Sequence, residues 1–139
     1  AANAPAANYK QFKRAGNLVF ISGQIPKMPD GTLMTGKLGD NLSLEEGVSA
    51  SRVVAINIIA QMKAACDGDL DRVKQVLKIE GFVNSAPDFT QHPQVINGIS
   101  DLIVDVFGQD VGAHSRFAVG CNSLPLGVSV EAGAMIEVE

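Results

Sequence analysis

The spacing of hydrophobic residues changes several times along the chain, and each change marks an element. Leu18 to Ile25 (LVFISGQI) is rich in β-branched and aromatic residues and runs into Pro26, then Pro29-Asp30-Gly31. Pro sets φ and Gly permits positive φ, so this stretch predicts a strand followed by a turn. Ser43-Leu44-Glu45-Glu46 has the S-x-x-E form of a capping box, after which Val48, Ala55, Ile56, Ile59 and Met62 recur close to helical period. A helix from Leu44 to Ala65 is predicted, ended by Asp67-Gly68-Asp69. From Val73 to Val83, Val73, Gln75, Leu77, Ile79 and Gly81 alternate with Lys74, Val76, Lys78, Glu80 and Phe82. That imperfect period of two predicts a second strand. Pro87 and Pro93 bracket a loop, and Pro93 suits the first turn of a second helix. This helix would turn Ile96, Ile99, Leu102, Ile103 and Val106 toward the core and stop at Gly108. Ser115 to Asn122 and Gly127 to Glu137 complete the order β, α, β, α, β, β. That order predicts an α+β fold with one sheet and both helices on one of its faces.

The last two strand candidates are joined by Ser123-Leu124-Pro125-Leu126, and their alternation predicts a hairpin. With the turn centred between Leu124 and Pro125, Phe117 faces Ala132, Val119 faces Val130 and Cys121 faces Val128, three apolar pairs that burial of one face would select. On the other face Arg116 opposes Gly133, Ala118 opposes Glu131 and Gly120 opposes Ser129. Arg116 and Glu131 then become diagonal neighbours with Cβ atoms roughly 7 to 8 Å apart, surrounded by small residues. A guanidinium suits bidentate capture of a carboxylate, so the expected site takes a small carboxylate-bearing molecule. Spacing leaves a second reading open, in which Arg116 and Glu131 neutralise each other in a structural salt bridge.

Composition narrows the classes. The 139 residues suit one domain, expected to span 1–139, with 46% hydrophobic and 19% charged residues in a globular balance. The formal net charge is -4, and the basic residues are scattered apart from Lys10, Lys13 and Arg14. This argues against a nucleic-acid surface. Cys66 and Cys121 have neither metal nor redox spacing and are expected to be buried free thiols. His92 and His114 lack a partner at metal-ligand spacing and are expected in loops or at the surface, so no metal site is predicted. No apolar run reaches the roughly 18 residues that a bilayer requires. Ala1 to Asn8 lacks a charged segment followed by an apolar one, so a cytoplasmic protein is expected.

Several separated motifs agree with one family. Ser115-Arg116-Phe117, Leu124-Pro125 and Val130-Glu131-Ala132 resemble the last hairpin of the Rid (YjgF) family of imine deaminases, with its binding arginine, Leu-Pro turn and glutamate in the family's spacing. Asn3-Ala4-Pro5-Ala6-Ala7, Tyr9, and Ile21-Ser22-Gly23-Gln24-Ile25-Pro26 are similar to its N-terminal part, while Phe82-Val83, Asp88-Phe89 and Asn97 match its middle. The resemblance covers nearly the whole chain. It implies a chorismate-mutase-like fold with one mixed sheet, assembled as a homotrimer with three pockets at subunit interfaces and no cofactor. It also implies hydrolysis of 2-enamine and 2-imine acids, such as 2-aminoacrylate and 2-iminobutyrate, to the 2-keto acid and ammonia. Arg116 would hold the substrate carboxylate and Glu131 would activate a water. Backbone near Ala118 would add hydrogen bonds, and Tyr9, Ser22 and Asn97 would line the pocket, partly from a neighbouring subunit.

The chain departs from the family pattern at His114-Ser115 (usually Pro-Ala), Ala118 (frequently Cys), Asn8 (usually Pro) and Gly133 (often acidic), and Phe89 to Asn97 is about four residues longer. These changes mark a divergent branch. Two alternatives accompany the deaminase: a non-catalytic trimer that binds small carboxylate metabolites, and an endoribonuclease or translation inhibitor. The acidic balance and 5% aromatic content offer the latter neither a phosphate-tracking surface nor stacking platforms.

Overall fold

The computed structural model describes residues 1–139. Seven main elements follow in order: β1 (Phe12–Ala15), β2 (Leu18–Gln24), α1 (Leu44–Ala65), β3 (Val73–Asn84), α2 (His92–Gly112), β4 (Ser115–Cys121) and β5 (Val130–Val138). The sheet runs β1-β2-β5-β3-β4. β3 and β4 are parallel and every other pair is antiparallel, so the sheet is mixed.

The capping box predicted for α1 is formed. Ser43 Oγ accepts from the Glu46 N–H at 3.2 Å, and the Ser43 N–H donates to Glu46 Oε1 at 2.9 Å. Those two bonds satisfy backbone donors that a helix start otherwise leaves orphaned. The buried stripe differs in part from the predicted one: Ala50, Val54, Ala55, Ile58 and Met62 enter the core, whereas Ile56 is 58% exposed. On α2 the core positions are Val95, Ile96, Ile99 and Ile103, and Val106 faces out. The four-residue step from Ile103 puts Phe107 in the stripe instead, packed against the core. Gly108, at φ 82, breaks the helix before its last turn.

β1 had no counterpart among the predicted elements, because FKRA carries too little alternation. It pairs with β2 around Gly16-Asn17, where Gly16 takes φ 60. The imperfect period of β3 also has a physical cause. Register against β5 shifts between Val73 and Gln75 and again between Val76 and Lys78. These bulges let Val73, Val76, Ile79, Gly81 and Val83 all reach the helix side.

The predicted hairpin of the last two strands does not form. β4 lies parallel to β3, with Arg116 beside Ile79 and Ala118 beside Gly81, while β5 enters the sheet between β2 and β3. α2 is the crossover: it packs on β3 and β4 and returns the chain to the sheet in the same direction as β3. Cross-strand partners point to the same face, so Arg116, Ala118 and Gly120 share the helix face with the buried Ile79, Gly81 and Val83. Phe117, Val119 and Cys121 face the other way, which is the reverse of the predicted orientation. Cys66 is buried, and Cys121, ending an edge strand, is only partly so. Twenty-two buried residues form one cluster between the helices and the sheet. Each fully buried Ile or Val contributes roughly 1.5 to 3 kcal/mol.

Candidate functional site

Glu131 stands beside Phe82 on the sheet face away from the helices, between the buried Val130 and Ala132. Its carboxylate lies over Gly23, where β2 shifts register between Ile21 and Gln24. A Cβ at position 23 would stand 3.1 Å from Glu131 Cδ and 3.2 Å from Cγ, so absence of a side chain makes room for the carboxylate. An isolated glycine inside a strand pattern is the sequence sign of such an approach.

Two hollows adjoin Glu131. One, of about 360 Å³, is walled by Tyr9, Gln11, Gln24, Lys27, Leu33 and Leu126, among others. The other, of about 230 Å³, adds Ile21, Glu80, Phe82 and Gly133. Burial raises the Glu131 carboxyl above the ordinary glutamate range, and no cation or hydrogen bond offsets it. The one ion pair of the chain is elsewhere, Arg72 to Asp67 at 3.1 Å. A half-buried, unpaired carboxylate at the floor of a hollow is suited to taking and returning a proton.

The other predicted residues divide. Tyr9 is 47% exposed and stands in the same hollow as Glu131. Ser22 instead supports the wall: its Oγ donates to the Lys10 carbonyl at 2.7 Å, and Gln24 Nε2 donates to the Ser22 carbonyl at 3.0 Å and to Gln11 Oε1 at 2.8 Å. Asn97 is exposed on α2 and lines neither hollow. Arg116 reaches α2, donating from Nη1 to Ser100 Oγ at 3.1 Å and from Nη2 to the Pro93 carbonyl at 3.4 Å. Within one chain Arg116 and Glu131 therefore lie on opposite faces with β3 between them, and the predicted diagonal contact is absent, as is the alternative salt bridge. Ala118 likewise faces Gly81 on the helix side, not Glu131.

Gln11, Gln24, Lys27 and Leu126 were not among the predicted site residues. Gln24 had a signal, a polar side chain ending an apolar strand, and it is 2% exposed. Leu126 rims the hollow at φ 61 and is 71% exposed, a left-handed backbone conformation that costs a leucine on the order of 1 kcal/mol or more. No cluster of three His, Cys, Asp or Glu side chains able to hold a metal occurs.

A family described as "YjgF/chorismate_mutase-like, putative endoribonuclease" matches residues 1–132. The chain belongs to the YjgF (Rid) family. Protein TCP17 of Trypanosoma cruzi is 50% identical over 138 residues, covering 99% of this chain and 86% of that protein. The crystal structure of Atu1372 from Agrobacterium tumefaciens superposes with a TM-score of 0.92 at 43% identity, over 98% of this chain and 86% of that one. A Shewanella oneidensis MR-1 structure described as a "putative endoribonuclease" gives 0.94 at 34%, over 99% and 90%. The mixed five-stranded sheet with two helices on one face is thus the chorismate-mutase-like YjgF fold. No helix of the chain is long and apolar enough to cross a membrane.

Proposed function

We propose that this protein hydrolyses 2-enamine and 2-imine acids to 2-keto acids and ammonia, in pockets completed between copies of a homotrimer. The observation that carries the proposal is Glu131: half-buried, unpaired, with its carboxyl pushed up by burial, beside Tyr9 in a hollow of about 360 Å³. Arg116 is a cation on the edge strand β4, where a neighbouring copy can bring it toward another chain's open face. That open face supports association: Leu18, Phe20 and Val119 on it are each about 40% exposed (40%, 41% and 42%), and Phe82 and Phe117 stack edge-on there. Exposed apolar side chains on one sheet face mark a contact surface where they gather into a large patch.

The chemistry follows from those positions. Arg116 of one subunit holds the substrate carboxylate, and Glu131 of another takes a proton from water as the oxygen bonds to the imine carbon. The proton passes to nitrogen to give the carbinolamine; Glu131 then carries the hydroxyl proton to the same nitrogen as the carbon–nitrogen bond breaks with its electron pair leaving on ammonia, and the carbonyl forms. An enamine enters by first taking a proton at carbon. A carboxyl with a raised pKa is better matched to both proton steps than one held fully ionised. Asn97 and the backbone near Ala118 border the Arg116 side of such a pocket, and Tyr9, backed by Ser22, borders the Glu131 side.

The test is keto-acid release in a coupled assay. A serine or threonine dehydratase generates the imine, and wild type, Arg116→Ala or Glu131→Ala is added. Acceleration by wild type and its loss in both variants is the expected result. Absence of acceleration by an assembled wild type would refute hydrolysis; carboxylate binding that depends on Arg116 alone would then identify a non-catalytic binder. Endoribonuclease activity is the weaker reading at a net charge of -4.

A further inference from the structure

We infer that Ser100 and His114 are positioning residues for Arg116, joined to it by a hydrogen-bond chain that fixes how the guanidinium meets a carboxylate. The inference rests on the proposed role of Arg116 as the carboxylate anchor, and it concerns residues that the family resemblance does not assign.

The direction of each bond can be worked out from the acceptors. His114 Nδ1 is 2.6 Å from the Gly112 carbonyl oxygen, which can only accept, so Nδ1 carries a hydrogen. In a neutral imidazole Nε2 then accepts. Ser100 Oγ, 2.9 Å away, donates its hydrogen to that nitrogen. The lone pairs of the hydroxyl are left to face outward, and one receives the Arg116 Nη1–H at 3.1 Å. Arg116 to Ser100 to His114 to Gly112 is thus a run in which each donor polarises the next.

The chain ties β4 through Arg116, the middle and the last residue of α2 through Ser100 and Gly112, and the α2–β4 connection through His114. A further bond, from Ser115 Oγ to the Leu77 carbonyl at 3.0 Å, pins the start of β4 to β3. The position of His114, two residues before the arginine, is where the family usually has proline, which offers no ring nitrogen to close the chain. Of the five guanidinium N–H donors, two are engaged, at Ser100 and Pro93. The remaining three are held in one orientation for a ligand. An arginine on an exposed edge strand otherwise samples many rotamers, and ordering it at the moment of binding weakens capture.

The test has two parts. Imidazole ¹⁵N spectra of the assembled protein are expected to show His114 protonated at Nδ1 and bare at Nε2; the opposite tautomer would overturn the chain as described. Binding of pyruvate, a 2-keto acid, is then measured by titration calorimetry for wild type, Arg116→Ala, Ser100→Ala, His114→Ala, the Ser100→Ala/His114→Ala double variant and Ser100→Thr, with melting temperature and assembly checked for each. Ser100→Ala and His114→Ala are each expected to weaken binding about 5- to 10-fold. The double variant should be no weaker than the worse single one, because both break the same chain. Ser100→Thr, which keeps the hydroxyl, should bind as wild type. In turnover the loss should fall on KM and leave kcat within about twofold. Wild-type binding in Ser100→Ala and His114→Ala, with binding lost in Arg116→Ala, would overturn the positioning role and leave the anchor role intact. Undiminished binding in Arg116→Ala would overturn both.

Discussion

Replacing Gly23 by alanine separates the place of Glu131 in the site from its place in the fold. The three heavy atoms nearest a Cβ at position 23 all belong to the Glu131 side chain, with Cδ at 3.1 Å and Cγ at 3.2 Å. Gly23 is not among the positive-φ glycines, so alanine meets no backbone penalty. The side chain of Glu131 must therefore swing aside while the strands stay. Forcing it off its rotamer costs roughly 0.5 to 1.5 kcal/mol. Exchanging glycine for alanine at a compatible position returns about 0.4 to 1 kcal/mol through the unfolded chain. The two nearly cancel, so the melting temperature should stay within a few degrees of wild type. A proton-transfer group moved by about 1 Å is expected to cost on the order of 100-fold in rate. Gly23→Ala should thus keep stability and assembly, followed by calorimetry and sedimentation, while keto-acid release falls about 100-fold. Wild-type turnover would refute the placement of Glu131 at the reacting centre. A loss of more than about 3 kcal/mol would show that the space over Gly23 is closed by backbone rather than by one movable side chain.

Glu131 also makes a pH prediction. Its folded pKa is raised by burial, so above the unfolded value, about 4.3, the folded state holds the extra proton and stability declines as pH rises through the folded pKa. Glu131→Gln should melt higher than wild type at pH 7, by under about 1 kcal/mol since the group is half exposed and solvent screens it, and should match it below pH 4. Ser43→Ala removes both the capping oxygen and its reciprocal arrangement with Glu46, and should cost about 1 kcal/mol in urea unfolding. Gly81→Ala would drive a methyl to 2.8 Å from Ile96 Cδ1 and 2.9 Å from Cγ1, between sheet and α2, and should destabilise by roughly 1 to 3 kcal/mol. Phe20→Asp on the open face should leave the monomer fold intact and shift sedimentation toward monomer; unchanged assembly would remove that face from the proposed interface.

The helices were legible because their signals are local. A capping box at Ser43 to Glu46, a run of residues at helical period and an Asp-Gly breaker are set within a few residues of one another, and α1 spans Leu44–Ala65 as they dictate. The family was legible for a related reason, since its motifs are short and survive in separate pieces. Tyr9 and Glu131, taken from those motifs, do meet in one hollow. Partnering of strands is different. A period of two divides a strand into two faces, but it names neither the neighbour nor the face that the helices cover. Phe117, Val119 and Cys121 have the alternation of a core strand, yet α2 brings β4 back parallel to β3 at the sheet edge and turns those residues away from the helices. The same crossover carries Arg116 to the helix face and leaves Glu131 on the other. Sequence alone determined which residues carry charge and where helices begin; packing of α2 against β3, a contact between distant segments, decided that the two charges of the candidate site do not meet within one chain.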